Sequence, residues 1–340
     1  MFATMEAVRV EELHLASDPQ TGLQAIVAIH NTHLGPALGG CRYLAYPDVD
    51  SAVRDAARLA RGMSYKAALA GLALGGGKAV IIRPPQPSSR EALFEAFGRF
   101  VDKLGGRYIT AVDSGTSGVD MDCIARHTAH VTSTTAGGDP SPHTALGVLA
   151  GIRATAKARL GSDKLDGLCI AVQGLGHVGF ALAGHLAEAG ARLIVSDIDE
   201  GRLEQAVEHF GAQPVVADAL LTMPCDILAP CGLGGVINPQ TIGKLRCAAV
   251  AGAANNQLDS PEMGDELAAR GILYAPDYVI NSGGLIFVAL QHQGCSHEEI
   301  TAHLAHIDSR LTEIYDEALV ERRSPARVAD SLAERLIYGS

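Results

Sequence analysis

Two lysines in an otherwise uncharged stretch are the residues of this sequence best placed to do chemistry. Residues 62–80 read GMSYKAALAGLALGGGKAV, in which Lys66 and Lys78 carry the charges. A lysine among apolar residues is costly unless it meets an anion or loses its proton. The pair therefore suggests that one lysine holds a carboxylate while the other acts as a base. Two surface lysines that snorkel along apolar neighbours are the alternative.

A phosphate-binding loop is a second way in which glycines and a lysine can work together. That motif would need glycine at position 72 and Ser or Thr at position 79, where this sequence has Leu72 and Ala79. The glycines before Lys78 therefore do not form such a loop.

One carboxylate, Asp113, follows the short apolar segment RYITAV (107–112). Because sites in α/β sheets form at the carboxyl ends of strands, Asp113 is a candidate for proton transfer. An aspartate that only caps a turn is the alternative.

The elements that must position these residues alternate between short apolar runs and helical patterns, which predicts an α/β fold. Strands are predicted at 8–15, 23–30 and 107–112, and at 78–83, where Pro84 and Pro85 stop the run. Asp50 and Ser51 are predicted to cap a helix that precedes Lys66. The turn-forming residues at 137–142 indicate a domain boundary.

A second α/β pattern follows this boundary. A helix is predicted at 143–159, and short strands of one parallel sheet are predicted at 168–173, 192–197 and in the segments CDILAP, CAAVAG and ILYAPD. Ser296 and Glu299 form a predicted capping box for a long helix that extends through Ile314. Residues 324–337 are predicted to form a last helix.

A glycine loop in this second half fits the pattern G-x-G-x-x-G. The loop follows an apolar strand and opens an amphipathic helix, and Asp197 ends the next strand. This context is typical of dinucleotide binding, with the pyrophosphate at the helix N-terminus and the acid on the adenosine ribose. Asp197 would repel a 2′-phosphate, so the predicted cofactor is NAD. The loop comprises Gly174, Leu175, Gly176, His177, Val178 and Gly179.

Composition excludes several other classes of protein. The chain has 340 residues and a net charge of −11 without a basic stripe, so we expect no nucleic acid partner. No apolar run reaches the roughly 18 residues needed to span a membrane, and the first twenty residues lack a secretory pattern, so a cytoplasmic location is expected. Seven cysteines without a CxxC pair indicate reduced thiols. Histidines 292, 297, 303 and 306 do not share one helix face, so no metal site is predicted.

Seven blocks, in order over nearly the whole chain, resemble the amino acid dehydrogenase family, which includes the glutamate, leucine, valine and phenylalanine enzymes. They are most similar to its leucine and branched-chain branch. The blocks are GPALGGCR (35–42), GMSYKAALAGLALGGGKAV (62–80), TAVDSGT (110–116), DPSPHTALGV (139–148), GLGHVG (174–179), AGAANNQL (251–258) and YAPDYVINSGG (274–284).

The resemblance implies a role for each matching residue. Lys66 would bind the substrate carboxylate, Lys78 would activate water as the base, and Asp113 would move the proton of the amino group. For this role the pKa of Lys78 must fall from ~10.4 to ~8 or below, which burial and the charge of Lys66 favour. The other implied substrate-binding residues are Leu38, Gly39, Gly40, Ala111, Asn256, Leu285 and Val288. The other implied cofactor-binding residues are Thr144, Asn255 and Asn281.

The resemblance also indicates the kind of side chain that the substrate carries. Glutamate enzymes have a lysine where this chain has Leu38, and an apolar wall would leave a second carboxylate unpaired. Ala111 and Val288 resemble the leucine type, and a methyl group at Ala111 would crowd an aromatic ring. Asn255, His143 and Phe287 depart from the usual pattern.

The prediction is an NAD-dependent enzyme that reversibly deaminates leucine, valine and isoleucine and acts as a homo-oligomer. We expect residues 1–140 to bind substrate, with a C-terminal helix of about 315–340 packed against them. Residues 141–314 would form a Rossmann-type NAD domain, with the active-site cleft between the two domains. There are two alternatives. The enzyme could carry out the same chemistry on phenylalanine or another apolar amino acid, or the chain could be a non-catalytic NAD-binding protein.

Overall fold

The computed structural model describes residues 2–84 and 89–339. The chain divides into two compact units. The first contains Met1–Asp139, Val288–Gly294 and Glu334–Ser340, and the second contains Pro140–Phe287 and Cys295–Ala333. Within the described ranges, no helix is long and apolar enough to cross a membrane.

The first unit is built on a mixed sheet with the strand order β1-β2-β4-β3-β5. Strands β3, β4 and β5 run parallel, whereas β2 is antiparallel to both β1 and β4. The strands are β1 Glu12–Asp18, β2 Leu23–Asn31, β3 Ala37–Leu44, β4 Gly75–Ile82 and β5 Tyr108–Val112, and the helices are α1 Phe2–Val8, α2 Val49–Leu69, α3 Arg90–Lys103 and α4 Gly118–Ala125.

Each face of this sheet buries its own apolar layer, because strand side chains alternate between faces. On one face, Val27 and Ala79 pack with Phe94 of α3. On the other face, Ala28 and Val80 pack with α2. Helix α2 therefore covers the face that carries the even-numbered residues of β4.

The second unit has a fully parallel sheet in the order β11-β10-β9-β6-β7-β8. Numbered within the unit, this is the 3-2-1-4-5-6 order of Rossmann folds, whose ligands bind where the order reverses, here between β6 and β9. The strands are β6 Cys169–Gln173, β7 Arg192–Ser196, β8 Gln213–Pro214, β9 Cys225–Pro230, β10 Cys247–Val250 and β11 Leu273–Tyr274.

Helices precede, connect and follow these strands. They are α5 Ser141–Leu160, α6 His177–Glu188, α7 Glu200–Phe210, α8 Ala217–Leu220, α9 Pro261–Ala269, α10 Asp277–Ile280, α11 Gly283–His292, α12 His297–His303, α13 His306–Glu321 and α14 Pro325–Tyr338, with 3₁₀ turns at Thr135–Gly137 and Ile242–Lys244. Most predicted strands and helices of both units are confirmed to within a few residues.

The structure corrects two element predictions. The predicted strand 8–15 begins only at Glu12, because α1 ends at Val8 and Arg9 turns the chain with a φ of 54°. The predicted long helix after Ser296 does have its capping box, but it ends at His303. There, hydrogen bonds between residues three apart tighten the last turn and a new helix starts.

The predicted start of one helix also differs from the structure. Helix α2 begins earlier than Asp50, because Asp48 is its N-cap and accepts a hydrogen bond from the Ser51 N–H group. The predicted stop at Pro85 lies outside the described residues.

The C-terminal assignment differs from the expected domain plan. The second unit does not end at 314 but includes residues 295–333, so α13 and most of α14 belong to it. Of the predicted helix 315–340, only the segment from Glu334 onward joins the first unit. Helix α11 also contributes residues 288–292 to the first unit.

Candidate active site

Strand β4 places Lys78 inside the first unit. Lys78 lies two residues before Val80 and therefore points to the sheet face that α2 covers. Its side chain is only 8% exposed. Burial, followed by the charge of the Arg42 guanidinium, lowers the pKa of Lys78 from 10.5 to about 7. A lysine in this state can lose its proton near neutral pH, as a general base must.

Asp113 is the ionic partner of Lys78. Nζ of Lys78 contacts Oδ2 of Asp113, whose side chain is 14% exposed. The other carboxylate oxygen accepts a hydrogen bond from the Ser114 N–H group at 2.6 Å and one from Nε of Arg42 at 3.4 Å. An amine and a carboxylate in direct contact can exchange a proton with each other or with a substrate.

Arg42 is part of this cluster, although sequence reasoning did not single it out. Its Nη1 donates to Oδ2 of Asp55 at 2.9 Å, and the Tyr46 hydroxyl donates to the same oxygen at 2.7 Å. In the sheet register Arg42 pairs with Val80, so it lies on the same face as Lys78. The alternation of side chains along β3 could have predicted this position, because Gly40 and Arg42 are two residues apart and so lie on the same face.

Lys66 lies in the last turn of α2 and is partly buried. Its positive charge contributes to the lowered pKa of Lys78, but less than burial or Arg42 does. The two predicted causes, burial and the charge of Lys66, therefore both lower the pKa of Lys78, and Arg42 adds a larger charge effect. The structure brings Lys66, Lys78 and Asp113 together on the α2 side of the sheet.

A buried polar network holds α2 next to the glycines of β4. Nδ1 of His30 lies 2.8 Å from Oγ of Ser64 and 2.8 Å from Nδ2 of Asn31. A Cβ atom at Gly76 would lie 2.0 Å from the backbone nitrogen of Ser64, so only glycine allows this approach. Burial lowers the pKa of His30 to about 4, so the ring is neutral at physiological pH. The network fixes the helix turn that carries Lys66.

Apolar residues lie on the same face of the sheet as Lys78. Leu38 and Ala111 are 3% and 6% exposed. Leu38 pairs with Ile109 and Gly40 pairs with Ala111, so these side chains share one face. A Cβ atom at Gly40 would lie 2.7 Å from Cβ of Asp113, which shows how closely the strand passes the carboxylate.

The remaining candidates of the first unit are Gly39 and Val288. The Gly39 carbonyl accepts a hydrogen bond of 2.6 Å from the Tyr108 hydroxyl. Val288 is buried, and its carbonyl accepts a bond of 3.3 Å from Oγ1 of Thr132. Leu38 also borders a cavity of about 290 Å³.

The glycine loop of the second unit joins β6 to α6. Gly174 has a φ of 93°, and a Cβ atom there would lie 2.8 Å from Cα of Gly232. A Cβ atom on Gly179 would lie 2.0 Å from the Gly174 carbonyl oxygen, whereas a Cβ atom on Gly176 would meet nothing within 4 Å. Two glycines thus serve packing, and the third leaves open space beside the start of α6.

The first turn of α6 lacks a side-chain cap. Its N-cap is Gly176, which has no side chain, so the N-cap makes no side-chain hydrogen bond to the N–H groups of the first turn. These N–H groups and the positive end of the helix dipole favour an anion. With the open space at Gly176, the residues present fit a dinucleotide pyrophosphate.

Asp197 directly follows β7 and supports this loop. Its Oδ2 accepts a hydrogen bond of 2.5 Å from the Leu175 N–H group, and its Oδ1 accepts one of 2.9 Å from Asp199. A carboxylate with further lone pairs remains suited to ribose hydroxyls. Asp197 therefore has a structural contact that the sequence did not predict.

A second set of candidates lies at the carboxyl end of β10 and around α11. Nδ2 of Asn281 donates to Oδ1 of Asn255 at 2.8 Å and to the Ala253 carbonyl at 3.0 Å. Asn256 has a φ of 51°.

The candidates around the start of α11 form a separate group. A Cβ atom on Gly284 would lie 2.6 Å from Oγ1 of Thr144. Leu285 is buried in the second unit, whereas Val288 belongs to the first.

The residues that depart from the family pattern and the C-terminal histidines make contacts with each other. His143 stacks on Phe287 with ring centroids 4.1 Å apart, and the His303 and His306 rings are 4.5 Å apart. Among residues 2–84 and 89–339, no group of three or more His, Cys, Asp or Glu side chains could hold a metal ion.

Comparison with known proteins identifies the family. Residues 8–130 match the model for the Glu/Leu/Phe/Val dehydrogenase dimerisation domain, and residues 196–334 match that for Glutamate/Leucine/Phenylalanine/Valine dehydrogenase. Leucine dehydrogenase of Geobacillus stearothermophilus is 47% identical over 341 residues, which cover 99% of this chain and 93% of that protein.

Relatives with other names are nearly as similar. Phenylalanine dehydrogenase of Bacillus thermotolerans is 44% identical over 336 residues, which cover 96% of this chain and 88% of that protein. The crystal structure of L-tryptophan dehydrogenase from Nostoc punctiforme matches with a TM-score of 0.91 and 41% identity, covering 100% of this chain and 99% of that one.

A Rossmann-type sheet in one unit and a buried lysine–aspartate pair in the other are the features of an amino acid dehydrogenase. The chain belongs to the Glu/Leu/Phe/Val dehydrogenase family. The resemblance found in the sequence blocks is thereby confirmed.

Proposed function

We propose that this enzyme uses NAD to deaminate leucine, valine and isoleucine oxidatively and reversibly, giving 2-oxo acids and ammonia. The observation that carries the proposal is the buried Lys78–Asp113 pair on the same sheet face as Leu38 and Ala111. This arrangement combines a base of suitable pKa with an apolar surface for an aliphatic side chain.

Each charged residue has a separate task in this reaction. Lys66 holds the substrate carboxylate as a point charge. Asp113 exchanges a proton with the substrate amino group, since it already contacts an amine. Loss of hydride from Cα leaves an imino acid, and neutral Lys78 takes a proton from the water that adds to the imino carbon. The C–N bond then breaks, ammonia leaves and the carbonyl forms.

The second unit supplies the cofactor site. The open space at Gly176 and the uncapped start of α6 support binding of the NAD pyrophosphate there. When bound, NAD supplies the acceptor for the hydride. Asn255, Asn281 and Thr144 are suited to contact its nicotinamide end, and Asn256 the polar end of the substrate.

The substrate side chain is expected to meet an apolar wall formed by Leu38, Ala111 and Val288. Burying a second carboxylate there without a partner would cost several kcal/mol, so glutamate is disfavoured. Relatives named for phenylalanine and tryptophan keep an aromatic amino acid as the second candidate. The methyl group of Ala111 would crowd an aromatic ring, so it favours an aliphatic substrate side chain by ~1–3 kcal/mol.

Product analysis tests the proposal. Incubation with L-leucine and NAD should yield NADH, ammonia and the branched 2-oxo acid in equal amounts. Binding of NAD without any product from an apolar amino acid would instead indicate a non-catalytic NAD-binding protein.

Replacing Asp197 by alanine should relax the preference for NAD. Removal of the negative charge ends the repulsion of a 2′-phosphate, so kcat/KM with NADP should rise about tenfold or more, equivalent to ~1.4 kcal/mol. Because Asp197 also accepts from Leu175, Asp197→Asn is the control: it keeps an acceptor oxygen but removes the charge. Both variants should gain activity with NADP. Equal use of both cofactors by the unchanged enzyme would contradict the role of Asp197.

Replacing Leu38 by lysine should weaken turnover of leucine about a hundredfold, because a charge enters a buried apolar surface. Leu38→Met is the matched control, since it keeps the volume and should retain most activity. Steady-state kinetics with leucine and glutamate measures the change, and Leu38→Lys should also raise glutamate turnover relative to leucine turnover. Equal losses in both variants would show that Leu38 acts through packing alone.

We infer that the enzyme is a homo-oligomer. The family model that matches residues 8–130 is described as a dimerisation domain. Light scattering at micromolar concentration should therefore give at least twice the mass of one chain. A monomeric mass would refute this inference.

The cysteines support a cytoplasmic location. All seven are free thiols in the structure, as is usual in a reducing compartment.

A further inference from the structure

Three cysteines lie at one edge of the second unit's sheet. Cys169, Cys225 and Cys247 are the first residues of β6, β9 and β10. They are partly exposed and have no role in the proposed deamination. The glycine loop follows the carboxyl end of β6, so these thiols lie at the opposite edge.

The parallel pairing of β9 and β10 places two of these cysteines next to each other. Cys225 and Cys247 are direct Cα partners in the parallel register of β9 and β10. Neighbouring strands lie ~4.8 Å apart, within the ~4.4–6.8 Å that a disulfide spans between Cα atoms. The two thiol groups also interact with each other, and this interaction is the largest influence on the pKa of each. A bridge between them therefore needs side-chain rotation and only small backbone adjustment.

The surroundings make the two thiols unequal. The interaction with the Cys225 thiol, followed by backbone hydrogen bonds and the charge of the Arg270 guanidinium, lowers the pKa of Cys247 against the effect of burial. The pKa of Cys225 is raised by its contact with Cys247 and by burial. Cys247 is thus the better nucleophile, and Cys225 is a protonated partner next to it.

Cys169 is the nearby thiol that does not share this pairing. Its Sγ lies 3.9 Å from the Pro224 carbonyl oxygen, and burial raises its pKa. Cys169 therefore serves as a matched control of similar exposure at the same edge of the sheet.

We propose that Cys225 and Cys247 form a reversible disulfide when the protein meets a peroxide. The Cys247 thiolate attacks a peroxide oxygen, the O–O bond breaks, and sulfenic acid and hydroxide (or alkoxide) form. The Cys225 sulfur then attacks the sulfenic sulfur, which releases water and creates the S–S bond. The two thiols lose two electrons in total, the peroxide gains them, and a dithiol reductant reverses the change.

Hydrogen peroxide applied to the native full-length protein tests this proposal. After the remaining thiols are alkylated, two of the seven should be unmodified, and peptide mapping should show a reducible link between residues 225 and 247. Cys225→Ser and Cys247→Ser should each abolish the link, whereas Cys169→Ser should keep it. In Cys225→Ser, a sulfenic acid probe should label Cys247.

Several outcomes would overturn the proposal. In Cys225→Ser, peptide mapping could show that Cys169 forms the link instead. A non-reducing gel could show that the bridge joins only separate chains. Thiol counting could show that peroxide removes no thiols before the protein unfolds. Because none of these cysteines belongs to the proposed catalytic groups, the reduced serine variants should keep deamination activity. That activity shows that a missing link does not come from misfolding.

Discussion

Lys78→Ala should lower kcat by about a thousandfold or more, since a positioned general base contributes ~10²–10⁴ in rate. Binding of NAD should stay nearly unchanged, because its proposed site is the Gly174–Gly179 loop. Steady-state kinetics and a direct NAD titration measure the two effects. A near-native kcat in this variant would remove Lys78 from its role as base.

Lys78→Arg is the matched control for this prediction. Arginine keeps a positive charge for the contact with Asp113 but does not lose its proton in the working pH range. If Lys78 acts as a base, this variant should be about as inactive as Lys78→Ala. Recovery of activity with arginine would show that Lys78 acts only as a fixed cation.

The pH profile tests the same role without a mutation. Because the pKa of Lys78 is lowered to about 7, the neutral form grows as the pH rises through that value. The kcat/KM for leucine should therefore increase from pH 6 toward pH 8 and then level off with respect to this group. An enzyme that loses activity over that interval would contradict the assignment.

Lys66→Ala should instead raise the KM for leucine by about a hundredfold, equivalent to ~3 kcal/mol for loss of a partly buried charge pair. The carboxylate is bound in the ground state and in the transition state alike, so kcat should fall much less than in Lys78→Ala. Lys66→Arg keeps the charge and should recover part of the affinity. An unchanged KM in Lys66→Ala would show that the carboxylate binds elsewhere.

Local sequence signals were sufficient for much of the fold. The strand, glycine loop and helix around Gly174 were predictable because each depends on neighbouring residues. Asp113 at the end of β5 was predictable for the same reason. The burial of Lys78 followed from its uncharged surroundings, and the structure confirms it.

Contacts between distant segments were not predictable in this way. Arg42 approaches Asp113 across 71 positions of sequence, and His30 meets Ser64 across 34. The need for glycine at position 76 was also not predictable, because it depends on how closely α2 packs on β4. Sequence patterns gave residue types for these positions but no partners.

A substrate panel tests the central claim most directly. The kcat/KM for NAD reduction should be measured at alkaline pH with leucine, valine, isoleucine, phenylalanine, tryptophan and glutamate. The account predicts that the three branched-chain amino acids exceed both aromatic ones by about tenfold or more, as a difference of ~1.4 kcal/mol requires, and that glutamate is the poorest substrate. A higher kcat/KM for glutamate, phenylalanine or tryptophan than for leucine would contradict it.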